Sequence, residues 1–270
     1  MEETANKDYE PEKIDEKAGK QDESDNADKI EPTLSKKQQK KLAKYEKRMA
    51  FRSEKRQQEK LRKKERRKEC LEKGLEVPPS RKSLKKRKMK ESSCQIRVVM
   101  DCGFNDLMNE KDIGCLSKQI QNSYAVNRRA PSPLQLHICN ASGELLNQLQ
   151  IKGSDNWDIV FLDKPYYEEF DKKSIVYLSS DSENVLNTLE VDKVYIIGGL
   201  VDHNHSKGLC LKLAEERGIS HAQLPIGKYI QMCQRKVLAV NHVFDILLKF
   251  SEQNDWKEAF ETVLPKRKKV

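Results

Sequence analysis

Asp202, His203, His205 and Cys210 fall within nine residues of one another, directly after the apolar run and glycine pair of VYIIGGLVDHNHSKGLC. An acid and two imidazoles suit a metal, glycines suit a phosphate or a cofactor lying against backbone, and an Asp at a turn suits a helix cap. Three adjacent loop side chains rarely aim at one centre, and no remote cluster supplies the remaining ligands, so no metal is expected. Neither G-x-x-x-x-G-K-[ST] nor G-x-G-x-x-G is present, which argues against the common phosphate loops. Cys210 has no accompanying Cys/His/Asn pattern and reads as a small apolar wall. For Asp202 two readings stay open: a cap or turn residue that satisfies backbone N–H groups, or a carboxylate that works at a site.

The elements that position these residues follow from periodicity. IRVVMDC reads as a buried strand ending on Asp101, and KVYIIGG as another, with Gly198-Gly199 allowing a sharp turn at its end. Residues 110–126 read as a helix, followed by the basic turn NRRAPSP. LQLHIC, WDIVFL, SIVYL and ISHAQLP read as strands, YYEEF as a brief helix, and SENVLNTL and 206–217 as helices. NHVFDILLKFSEQ carries apolar residues at i, i+3, i+4 and i+7, and DWKEAFETVL closes the series as a last helix. Strands alternating with helices predict an α/β domain with a mainly parallel sheet. In such sheets ligands bind beyond the carboxyl ends of the strands, where Asp101, Ser179 and the Gly198–Asp202 loop fall.

Charge is distributed unevenly along the 270 residues. Residues 1–35 hold 5 basic and 12 acidic side chains, Lys36–Lys90 hold 25 and 7, and the remainder 22 and 24. The whole basic excess therefore belongs to one segment, and counterion release makes nucleic acid its expected partner. Ser35 and Gln38 have capping-box spacing at the start of a helix expected to run to about Lys73, before Gly74 and Pro78-Pro79. The expected organisation is a disordered acidic tail over 1–34, a basic helical arm and linker over 35–92, a globular domain over 93–265 and a basic tail over 266–270. Seven cysteines without a C-x-x-C pair point to free thiols in a reducing compartment. With no membrane span, secretory signal or mitochondrial presequence apparent, the nucleus or cytoplasm is expected.

DCGFNDLM, QIQNSYAVNRRA, YLSSDSENVL, VYIIGGLVDHNHSKGL, HAQLPIGKYI, RKVLAVNHVFDILLKF and DWKEAF, in this order, resemble the blocks of the tRNA (guanine-9-N1)-methyltransferases. These form a monomeric branch of the SPOUT class. The resemblance implies a mainly parallel sheet with a C-terminal trefoil knot and S-adenosyl-L-methionine as cofactor. It further implies tRNA as partner, with no metal and no membrane. By match of motif, the cofactor pocket draws on Leu178, Gly198, Ser206, Lys207, Gly208, Leu209, Cys210, Leu224, Lys236, Val237 and Leu238. Ser179 and Ala239 stand where some members carry Thr. Asp202 matches the proposed general base, with Asp101 in reserve. Arg128, Arg129, Lys207 and the arm are the expected RNA contacts. The rival readings are a non-catalytic tRNA clamp on the same fold and a metal-dependent hydrolase using Asp202 and His205.

Overall fold

The computed structural model describes residues 35–75, 77, 80, 83–84, 88–203, 205–230 and 237–264. Two units are formed, Met1–Val77 and Pro78–Val270. In the first, helix α1 (Lys36–Ala50) opens on the expected capping box: Gln38 N–H donates to Ser35 Oγ at 3.3 Å and Ser35 N–H to Gln38 Oε1 at 2.9 Å. The single helix expected here is interrupted at Phe51, after which α2 runs from Arg52 to Glu72. Neither helix buries a side chain.

The second unit is built on a sheet of six parallel strands: β1 (Arg97–Asp101), β2 (Gln135–Cys139), β3 (Val160–Leu162), β4 (Ile175–Leu178), β5 (Val194–Gly198) and β6 (Ser220–Ala222). Their spatial order is β3-β2-β1-β5-β4-β6. Helices cover both faces, as parallel sheets require. Val98, Met100, Leu136, Ile138, Tyr195 and Ile197 share one core with α3 (Glu110–Asn127), α8 (Val240–Gln253) and α9 (Trp256–Val263). Val99, Ile175, Tyr177, Val194 and Ile196 share the other with Tyr166 and Ala214. Tyr166 belongs to α5 (Tyr166–Glu169) and Ala214 to α6 (Leu209–Glu216). Two further helices, α4 (Gly143–Ile151) and α7 (Ile226–Tyr229), lie in the same unit. Ahead of β1, Met89 is buried and its N–H donates to Asp158 Oδ2 at 2.6 Å, so the folded unit recruits residues before Cys94.

Three local readings are corrected. SENVLNTL forms no helix; Val185 instead bridges to Gln223, and Ser182 Oγ accepts from Asn184 N–H and meets His221 Nδ1 at 2.8 Å. Short polar side chains that satisfy nearby backbone compete with the helix ladder. The helix expected over 206–217 begins only at Leu209, because Gly208 adopts a left-handed φ of +76°. Helix α4 is an element that the periodicity does not reveal. It follows Asn140 and opens on Gly143, both at positive φ, and buries only Leu145 and Leu149 in the core.

Candidate cofactor cleft

Strand order reverses between β1 and β5. From β1 the chain moves outward to β2 and β3, then crosses to β4 and returns as β5. Asp101 and Gly198, the last residues of the two strands, lie opposite each other in register. Gly199 N–H donates to the Asp101 carbonyl at 2.7 Å. The two glycines are required for close approach rather than for a turn, since neither has a positive φ. A Cβ on Gly199 would stand 2.6 Å from the Asp101 carbonyl oxygen, and one on Gly198 would stand 2.7 Å from Cys210 Sγ.

Beside this junction lies a cleft of about 150 Å³, open to solvent on one side. Leu178, Ser179, Ser180 and Asp181 enter it from the end of β4, and Ile197, Gly198, Leu200 and Asp202 from the exit of β5. Ser206 to Cys210 supply the loop and first turn of α6. Gln223 and Leu224 follow β6, and Val237, Leu238, Val240 and Val243 lead into α8. Every residue expected at a cofactor pocket is thus brought to one place, except Lys236, which lies outside the described residues. Asp181 and Gln223 were not singled out by sequence. Asp181 Oδ2 accepts from Gly208 N–H at 3.2 Å, tying the β4 exit to the start of α6. Its position just past a strand end was the available signal. Ser179 Oγ accepts from Asp181 N–H at 3.3 Å, a bond that a threonine hydroxyl makes equally well. At Ala239, the N-cap of α8, no side-chain cap bond is made.

Asp202 is half-buried at the cleft edge. Its Oδ2 accepts from Ser206 N–H at 2.5 Å and its carbonyl from His205 N–H at 3.1 Å. Asp202 caps no helix, since α6 opens after Gly208; it closes the preceding turn instead, and that backbone bond fixes the carboxylate at the cleft. His203, at φ +54°, turns away and places Nε2 3.2 Å from Asp112 Oδ1. Asp202 and the histidines do not converge, and among the described residues no group of three or more His, Cys, Asp or Glu is arranged to hold a metal.

Asp101 sits behind the cleft floor and does not line it. It is 3% exposed; Oδ1 accepts from Asn140 Nδ2 at 2.8 Å and Oδ2 from Tyr177 Oη at 3.3 Å. Burial, reinforced by this carboxylate, pushes the Cys139 thiol up to about 12, while burial pushes the Cys210 thiol up to about 11 despite its hydrogen bond with Tyr177. A neutral Cys210 is an apolar wall, as expected, and no nucleophile near neutral pH. Arg128 and Arg129 lie at the end of α3, away from the cleft lining. Arg128 packs its guanidinium 5.8 Å from the centre of the Tyr124 ring, which in turn stacks on Trp157 at 4.7 Å.

A family model described as tRNA (guanine(9)-N(1))-methyltransferase TRM10/TRM10A matches residues 32–269. The chain belongs to this family. The tRNA (guanine(9)-N1)-methyltransferase of Schizosaccharomyces pombe is 40% identical over 262 residues, covering 92% of this chain and 84% of that one. The tRNA methyltransferase 10 homolog A of Homo sapiens is 50% identical over 176 residues, covering 64% of this chain and 52% of that one. The chain thus spans about half the length of the vertebrate relatives it matches. Of solved structures, the full-length spTrm10–SAH complex is similar at 41% identity with a TM-score of 0.61, covering 67% of this chain and 99% of that one. The spTrm10(74) crystal structure is similar at 43% identity and the same TM-score, covering 66% and 98%. The parallel α/β sheet expected from the sequence is therefore the SPOUT-type fold of the Trm10 family.

Proposed function

We propose that the chain is an S-adenosyl-L-methionine-dependent methyltransferase that forms N1-methylguanine at position 9 of tRNA, acting as a monomer in the nucleus or cytoplasm. The observation that carries this reading is the meeting of Asp202 with residues from β4, β5, α6, β6 and the approach to α8 in one cleft. The spTrm10 complex with SAH, the demethylated form of that cofactor, supports it.

The cleft fits such a group. Leu178, Leu224, Val237 and Leu238 offer apolar walls for a flat heterocycle, and strand-end and loop backbone offers amides and carbonyls for its edge. Asp181 is the acceptor available to sugar hydroxyls. The expected trefoil knot belongs to this reading, with the loops around the cleft threading the C-terminal chain. The cofactor supplies an electrophilic methyl group. Asp202 supplies the acceptor for the N1 proton of guanine, which must leave before N1 has an in-plane lone pair. Ser206 N–H holds the carboxylate in one orientation, so the geometry is imposed before the purine arrives. The basic arm contributes long-range attraction to the RNA backbone.

The test compares transcripts that differ only at nucleotide 9. Asp202→Asn should lower transfer to guanine-9 by about 10²–10⁴-fold, the usual range for a lost general base, while cofactor affinity stays within about threefold. Any transfer to adenine-9, whose N1 already carries a lone pair, should fall far less. Equal losses on both transcripts would remove the proton-accepting role. No methylated nucleoside from the unaltered protein on either transcript would overturn the activity.

A further inference from the structure

We propose that the Tyr45 face of the arm is a stacking site for an unpaired nucleobase of the RNA, flanked by arginines that hold the adjoining phosphates. The proposal rests on the reading of the arm as an RNA contact. Tyr45, Arg48, Met49, Arg52, Arg56 and Glu59 lie at helical spacing across the Phe51 interruption and, with Lys55, line one shallow groove. The face carries through because Phe51 N–H donates to the Lys47 carbonyl and Lys55 N–H to the Phe51 carbonyl, at 3.2 and 2.9 Å.

Tyr45 is 50% exposed and Met49 40%, so the ring presents an open face to solvent. Arg48 lies 5.5 Å from the Tyr45 ring centre, and Arg52 Nη1 donates to Met49 Sδ at 3.8 Å, placing two cations beside the apolar pair. Leu42, Tyr45 and Met49 make an apolar stretch only two turns long, after which the same face continues as Arg52 and Arg56. That is too short for a coiled-coil seam, which repeats over several heptads, and too polar for an inserting membrane face. An aromatic ring set among arginines matches the pattern by which proteins take single-stranded nucleic acid. The ring stacks on a base of any identity while the cations neutralise phosphates.

Binding of the whole 270-residue chain, without cofactor, is measured by fluorescence anisotropy on three RNAs (a tRNA transcript, an unstructured single strand and a blunt duplex) and by co-sedimentation with anionic phospholipid vesicles. Tyr45→Ala should weaken binding to the tRNA and the single strand about 5- to 100-fold. Its effect on the duplex should be below twofold, and the dependence on salt should not change. Alanine is the better helix former, so such a loss is not a melted helix. Tyr45→Trp should restore affinity, and its indole emission should be quenched by the single strand. Arg52→Ala/Arg56→Ala should lower the salt slope by about 2 on all three RNAs. Unchanged single-strand affinity in Tyr45→Ala, or an equal loss on the duplex, would overturn the proposal. So would a loss confined to anionic phospholipid vesicles, which would assign the face to a membrane. An unchanged slope in the double arginine variant would overturn the RNA reading of the arm beneath it, a separate outcome from failure of Tyr45 alone.

Discussion

Helices α1 and α2 leave every side chain at least partly exposed, whereas strand β1 exposes none of Val98, Val99 and Met100. The arm is made of charge on a helical spacing, and its attraction to an anion is long-ranged, graded and spread over many residues. At the cleft and the strand junction behind it, Gly198 and Gly199 have no room for a methyl group, which would lie under 3 Å from Cys210 Sγ and from the Asp101 carbonyl. Removing one lysine from the first changes an average, while adding one carbon to the second moves a wall. Affinity can therefore reside in a segment with no core, but positioning of reacting atoms cannot.

Deleting residues 1–77, which leaves Met89 and the rest of the folded unit in place, is the broadest way to break this comparison. tRNA affinity should fall by at least 10²-fold and the slope of log K against log salt should flatten markedly, with cofactor binding by calorimetry unchanged. An undiminished slope would place the electrostatic contacts on the folded unit. Gly199→Ala should sharpen the comparison from the other side. The new methyl meets backbone, which cannot rotate aside, and the urea midpoint should drop by the equivalent of about 1–3 kcal/mol. Gly198→Ala meets the Cys210 side chain instead, so adding Cys210→Ala should recover part of its loss.

A smaller effect is expected at Asp245 in α8, whose Oδ1 is buried without a hydrogen-bond partner among the described residues. Burial pushes its carboxyl from 3.8 up to about 7, only partly offset by Lys249. The folded state then holds the proton more tightly than the unfolded chain. Stability from this group is greatest below about pH 4, declines as pH rises towards 7 and is level above. Asp245→Asn should flatten that decline and raise the urea midpoint at pH 8 relative to the unaltered protein, with little change at pH 4. Smallest of all, Ser35→Ala should lower helix content by circular dichroism only at the first turn of the arm, a loss of about 1 kcal/mol.

The strongest periodicities were legible in the sequence for physical reasons. β1 and β5 are buried on both faces and so read as unbroken apolar runs, and α8 and α9 turn one stripe to the core. Leu209 as the true start of α6 was not legible, because the backbone sign at Gly208 is decided by the loop before it. The SENVLNTL segment reads as helical by composition, but Ser182 and Asn184 find partners on the neighbouring β6, which no local window contains. The cleft lining came chiefly from motif resemblance, and the spacing alone justified only the strand ends. Asp181 and Gln223 meet there because β4 and β6 are neighbours in space, a fact of strand order.

That order also governs when the chain can become a protein. The centre of the sheet joins Arg97 to Val194, partners 97 positions apart, and Asp101 closes against Gly198 and Gly199 only after β5 has been made. During synthesis one edge of β1 waits unpaired while β2, β3 and β4 emerge, a long interval with aggregation-prone backbone in the open. A ribosome stalled before residue 194 would hold a hydrophobic half-sheet that needs a chaperone's cover.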